Sequence, residues 1–145
     1  MMVSVVILLP SCESDENEGN EEKVSSYNET ESHKMGENCM SCHKSGGDGE
    51  GWFNIAGTVY DSDKSSTYPN ATLKIYDEPN GLGSLIGTIE VDGLGNFYKT
   101  NNFDFGSGLY VSVSGDAETI FMIDPVTTGQ CNSCHGTSTD RIWTR

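Results

Sequence analysis

From Phe53 to Asp124 the chain sets an apolar residue at every second position in one short run after another, a period that suits strands and excludes amphipathic helices. Phe53, Ile55, Gly57 and Val59 share one face of the first run, and Ala71, Leu73 and Ile75 that of the second. Leu85, Gly87, Ile89 and Val91 follow in the third, and Leu109, Val111 and Val113 in the fifth. The fourth and sixth runs are Asn96–Thr100 and Glu118–Asp124. Tyr68-Pro69-Asn70, Pro79-Asn80-Gly81, Asp92-Gly93-Leu94-Gly95 and Ser114-Gly115-Asp116 lie between runs and favour chain reversal. The expected fold is all-β: a small antiparallel sandwich or barrel of about six to seven strands, flanked by non-regular segments. At 145 residues there is room for one such domain plus tails.

Those flanks carry nearly all the reactive chemistry. Cys39-Met40-Ser41-Cys42-His43 and Cys131-Asn132-Ser133-Cys134-His135 are two copies of Cys-x-x-Cys-His, the attachment pattern of c-type haem. Two thiols at this spacing reach the two vinyl groups on one haem edge, and the adjacent imidazole then sits under the iron as its proximal ligand. With 3 His in 145 residues, finding one directly after both cysteine pairs has a chance on the order of one in two thousand. The pattern therefore predicts two covalently bound haems c, with Cys39, Cys42, Cys131 and Cys134 as thioethers and His43 and His135 as iron ligands. A zinc site on the four thiolates would explain the spacing but not the histidines. Two short disulfides would also leave His43 and His135 idle.

Thioether attachment takes place outside the cytoplasm, so the chain is expected to be exported. Met1–Leu9 is apolar, and Leu9-Pro10-Ser11-Cys12 resembles the lipobox of bacterial lipoproteins, which implies a cleaved signal over 1–11 and lipid attachment at Cys12. The apolar stretch is much shorter than the about 20 residues that a transmembrane helix needs. A formal net charge of -14 argues against nucleic acid or an anionic lipid surface as partner. Eight of the acids fall between Glu13 and Glu31, among Ser, Asn and Gly, so 12–32 is expected to be a disordered acidic tether.

Ile55-Ala56-Gly57-Thr58-Val59-Tyr60-Asp61, Pro69-Asn70-Ala71-Thr72-Leu73, Val91-Asp92-Gly93-Leu94-Gly95-Asn96-Phe97 and Gly108-Leu109-Tyr110-Val111 together resemble the carboxypeptidase-regulatory or transthyretin-like β-sandwich. That resemblance covers about half the chain and implies a structural module. A sandwich flanked by Cys-x-x-Cys-His motifs in an exported chain is similar to small di-haem or multihaem cytochromes of environmental bacteria. The expected order is then export signal 1–11, tether 12–32, first haem-binding segment 33–51, sandwich 52–125 and second haem-binding segment 126–145. Six alternating strands would bring both motifs out at the same end of the sandwich. A seventh would part them by a strand length, about 20 Å.

The sixth iron ligands decide what such haems do. His33 is the one histidine left, in a polar stretch with no core to pack against, and it is the expected distal ligand of one iron. For the other, Met122, Met35 and Met40 are candidate thioethers; a partner chain is a second source and an open position a third. Trp52, Phe53 and Trp143 are placed to cover haem faces or to pack in the sandwich, and Arg141 and Arg145 to neutralise propionates. The leading expectation is an electron carrier at or beyond the outer cell surface, with redox proteins or other copies of itself as partners, the latter in a haem-stacked filament. A haem enzyme or gas sensor with an open iron is the alternative. It lacks a dedicated acid-base constellation in the sequence.

Overall fold

In the computed structural model, which describes residues 19–145, the period-two runs form two packed sheets of four strands each. One holds β1 (Ile55–Asp61), β4 (Asn96–Lys99), β7 (Gly129–Gln130) and β8 (Ile142–Thr144). The other runs in the order β3 (Leu85–Glu90), β2 (Thr72–Tyr76), β5 (Tyr110–Ser114), β6 (Thr119–Phe121). The fold is all-β, and three short 3-10 turns are its helical pieces among the described residues. The expected signal 1–11 and Cys12 lie outside the described residues.

The inward residues of β1, β2 and β5 are those the alternation marks. Ile55, Val59, Leu73 and Ile75 are completely or almost completely buried, and Val113 nearly so. In β3 the pattern carries only half the strand: Ile89 and the following Val91 are buried, whereas Leu85 and Ile86 are exposed, because β3 is the edge of its sheet. Phe97 is fully buried and stands directly across from Gly57, where a Cβ would lie 2.6 Å from its ring. Glycine here is a packing requirement set by the aromatic opposite.

β1 is buried on both faces. Ile55 and Val59 face the core, while Ala56, Thr58 and Tyr60 are equally hidden on the outer side. The cover at Thr58 and Tyr60 comes from the chain just before the first motif: Gly36 donates its N–H to the Thr58 hydroxyl at 2.9 Å, and its φ of +85° places it against the Tyr60 hydroxyl. Thr58 also donates to Asn96 Oδ1 at 2.6 Å and accepts from Asn132 Nδ2 at 3.1 Å. The hydroxyl's donor and acceptor capacities are all used.

The route after β6 differs from a six-strand hairpin count. β7 and β8 both lie along β1, and both run parallel to it: Gly129 and Gln130 beside Ile55 and Ala56, then Ile142–Thr144 beside Val59–Asp61. The second motif is the excursion between them. Its Asn132 fills the interruption, with Oδ1 accepting the Thr58 N–H at 3.2 Å and Nδ2 donating to the Glu37 carbonyl at 2.9 Å. The two motifs therefore sit side by side on one strand. Strand parity has no part in it.

The stretch expected to be a free tether up to residue 32 also differs. Ser25 is buried, donates its N–H to the Tyr98 carbonyl at 3.0 Å and its hydroxyl to the Glu90 carbonyl at 2.5 Å. Lys23 and Thr100 exchange bonds beside it. The open edges of β3 and β4 need partners for their N–H and C=O groups, and a small hydroxyl residue in an acidic strip can supply them. This arm closes one side of the sandwich.

Replacing Thr58 by Val keeps the volume and strands Gly36 N–H, Asn96 Oδ1 and half of the Asn132 amide. Urea unfolding of Thr58→Val is expected to show a loss of about 2–4 kcal/mol. A change within about 0.5 kcal/mol of the parent would mean that these bonds are not formed.

Candidate functional site

The two Cys-x-x-Cys-His segments fold alike. Cys39–Ser41 and Cys131–Ser133 are each a 3-10 turn, and His43 and His135 donate their backbone N–H to the carbonyls of Cys39 (2.9 Å) and Cys131 (3.0 Å). In both, the first sulphur points back to the carbonyl two residues earlier, at 3.6 Å for Cys39 and 3.5 Å for Cys131, and the second cysteine is exposed. Ser41 and Ser133 hydroxyls lie 3.8 Å from the sulphurs of Cys42 and Cys134. Similar turns built on different supports argue that the motif dictates its own backbone.

The imidazoles are held in matching ways. His43 Nδ1 lies 3.1 Å from the Glu50 carbonyl and His135 Nδ1 lies 2.7 Å from that of Asp140. A carbonyl only accepts, so Nδ1 carries the proton and Nε2 presents its lone pair, the state a metal-bound imidazole needs. Both carbonyls belong to acids that are clamped by lysine: Glu50 by Lys23 at 3.0 Å, Asp140 by Lys64 at 2.7 Å. The lysine hydrogen bond holds each carboxyl below its usual range. Phe53 stacks on the His43 ring at 4.3 Å and Tyr98 on Phe53 at 4.9 Å, so Phe53 backs the imidazole. Gly49 passes so near that a Cβ would lie 2.6 Å from His43 Nδ1.

His33 stands opposite. Its ring centre is 5.9 Å from that of His43; imidazoles bound trans to one metal at about 2 Å each put their centres roughly 6 Å apart. Both rings line a cavity of about 460 Å³ together with Cys39, Cys42, Phe53 and Tyr98. Asn96, buried at the start of β4, holds the arm in place by donating to the Ser32 hydroxyl (2.9 Å) and the His33 carbonyl (3.3 Å). The Asp92 carboxylate delivers Asn96 there, accepting the N–H groups of Leu94 and Asn96 at 2.9 Å each across the glycine turn.

Cys131, Cys134 and His135 line a second cavity of about 460 Å³, between β6 and the β7/β8 edge. Its walls include Val111, Ile120, Met122, Ile142 and Trp143, with His33 on neither side. Met35 and Met40 line neither cavity, and Met35 is exposed. Trp52 is engaged at its backbone by Asn20. Arg141 stacks over Tyr60 at 4.3 Å and donates to the Lys64 carbonyl, while Arg145 pairs with Glu118 at 2.7 Å and lines neither cavity.

Cys39, Cys42, Cys131 and Cys134 are free, and among the described residues no three His, Cys, Asp or Glu side chains converge as a metal-ligand set. Neither a four-thiolate centre nor a disulfide is assembled. Each motif contributes two thiols and one imidazole whose Nδ1 faces a backbone carbonyl. The Cys131 thiol is packed against the core, and burial, with Cys39 nearby adding to it, pushes it up to about 12. Burial also raises Cys39.

Sequence reasoning finds the cysteines and histidines but misses Asn132, Thr58, Asn96, Glu50 and Asp140, which position them. The one signal on offer was an acid after each motif, seven residues past His43 and five past His135. The chain matches no protein-family model, no curated protein and no solved structure.

Two outcomes follow. In the chain without haem, iodoacetamide is expected to modify Cys134 at least tenfold faster than Cys131 at pH 7, followed by peptide mass mapping. A thiol titrating near 12 is about one part in 10⁵ thiolate at that pH, so the Cys131 rate should climb about tenfold per pH unit up to that point. Gly49→Ala is expected to push the His43 ring off the Glu50 carbonyl, seen as a shift of the His43 ring resonances in proton NMR, while those of His135 do not change.

Proposed function

We propose that this chain is an exported di-haem c-type cytochrome that carries electrons at or beyond the outer cell surface. The observation that carries the reading is the twofold repeat of one geometry: a Cys-x-x-Cys-His turn whose imidazole gives its Nδ1 proton to a fixed backbone carbonyl. A motif of this kind that arose by chance would have no reason to orient both rings for a metal at Nε2. Cys39 and Cys42 would hold one group and Cys131 and Cys134 the other, with His43 and His135 as proximal ligands. Haem bound there supplies an iron that takes up and returns one electron.

The chain's own residues do the remaining work. His33, held by Asn96 across the cavity from His43, is the residue that would hold the first group from its other side and keep small molecules off it. Phe53 and the Glu50 carbonyl fix the plane and tautomer of His43. The shared support on β1 keeps the two sites at a constant separation, which electron tunnelling between them requires. Redox proteins, or further copies of this chain, are the partners such a carrier serves. Export is the condition for thioether attachment, with lipidation at Cys12 as its anchor.

Protein purified from its native host is expected to carry the mass of two haems and, when reduced, to show two low-spin haems that do not respond to carbon monoxide. His33→Ala is expected to turn one of them high-spin and carbon monoxide-sensitive while the other is unchanged. A mass without haem overturns the proposal. A parent protein that binds carbon monoxide replaces the carrier with an enzyme or sensor using an open iron.

A further inference from the structure

The two cavities differ in ways that bear on the same property. The sandwich has two open sides. The arm around Ser25 seals the one between β3 and β4, bonding to both strands. The other, between β6 and the β7/β8 edge, is bridged at the end of β8, where the Arg145 carbonyl accepts the Ala117 and Glu118 N–H groups and the Thr144 hydroxyl donates to the Glu118 carbonyl, and beside this bridge its cavity reaches the core at Leu73, Phe97 and Val113. Cys131, Cys134 and His135 stand at that side, so a macrocycle held by them would face a mainly apolar wall.

Met122 belongs to this wall. Ile120 of β6 packs against the core, and Met122, just past the end of that strand and two residues on, is half-buried and lines the cavity. Its N–H bonds to the Val111 carbonyl at 2.8 Å, which fixes the backbone there. It lines the cavity with His135, and no second histidine does. The first cavity has a different character: Glu31, Glu37, Asp48 and Glu50 line it against only Lys23 and Lys34, and its second imidazole is His33. Of ionisable side chains other than cysteine and histidine, the second cavity has Asp140 and Arg141, whose charges cancel.

Resting on the di-haem reading above, we infer that Met122 supplies the sixth ligand of the second iron and that this iron is the higher-potential member of the pair. Three physical effects point the same way. A thioether is a softer donor than imidazole and favours ferrous over ferric iron. An apolar wall solvates the extra positive charge of ferric iron poorly, which again favours the reduced state. At the first site a surplus of carboxylates stabilises the ferric form. An electron delivered to either site therefore comes to rest on the second, and the pair has a direction.

The test uses the full chain, first confirmed by mass to hold two haems; absence of haem would refute the di-haem reading and not this inference alone. Proton NMR of the ferrous protein is expected to show one methionine methyl shifted far upfield by an axial position over the macrocycle. The ferric protein should show the weak long-wavelength charge-transfer band of a thioether-bound iron. Potentiometric titration should resolve two one-electron waves at least 59 mV apart, a tenfold ratio at equilibrium. Met122→Leu, which keeps the apolar volume, is expected to abolish the methyl signal and the band and to make one haem high-spin. Met122→His should restore a low-spin iron with the upper wave moved down toward the lower. Met35→Leu should alter none of these. A second iron that is high-spin in the parent, a methyl signal that survives Met122→Leu, or two waves that coincide would each overturn the inference while leaving two haems in place.

Discussion

The Thr58 hydroxyl is the point on which the arrangement depends. It sits on the outer face of β1, fully buried, and takes one bond each from or to Gly36, Asn96 and Asn132. Through Gly36 it holds the approach to the first motif, through Asn96 the arm that carries His33, and through Asn132 the second motif itself. In a low-dielectric setting such a network strengthens each of its bonds and penalises any missing member. Satisfied throughout, it fixes three segments from distant parts of the sequence against a single strand.

Around that anchor, two turns with little sequence in common beyond Cys-x-Ser-Cys-His reach a similar end state by local means. The 3-10 turn, the inward first sulphur and the exposed second one recur without shared surroundings. What differs is the wall each turn faces. One looks onto charged side chains and a second imidazole, the other onto the side of a hydrophobic core. A common turn therefore presents the same side chains to two different surroundings, one before β1 in the chain and one between the two strands that pair with it.

The parts of the fold that were legible in the sequence were those governed by local period. Alternation picked out the inner faces of β1, β2 and β5, and turn residues marked the reversals between them. It overstated β3, because period cannot tell an edge strand from a central one, and Leu85 faces solvent. Composition mistook the arm, since the charge of its glutamates says nothing of the unpaired strand edges that Ser25 would meet. β7 and β8 were invisible because two or three residues carry no period, and they exist only as partners of β1. The four cysteines of the repeated turn, with His43 and His135, were legible as a motif. Glu50, Asp140 and Asn132 were not, because one gives a backbone carbonyl, another does the same at a different spacing, and the third acts only once a strand is interrupted beside it.

β8 joins β1 across about eighty residues of sequence. Contacts of such range form late, since loop closure must precede them. Until Ile142–Thr144 docks, the excursion that holds Cys131 and Cys134 has only one of its two ends fastened. The last strand thus acts as a latch whose closing time, and not only its contacts, is written into the topology.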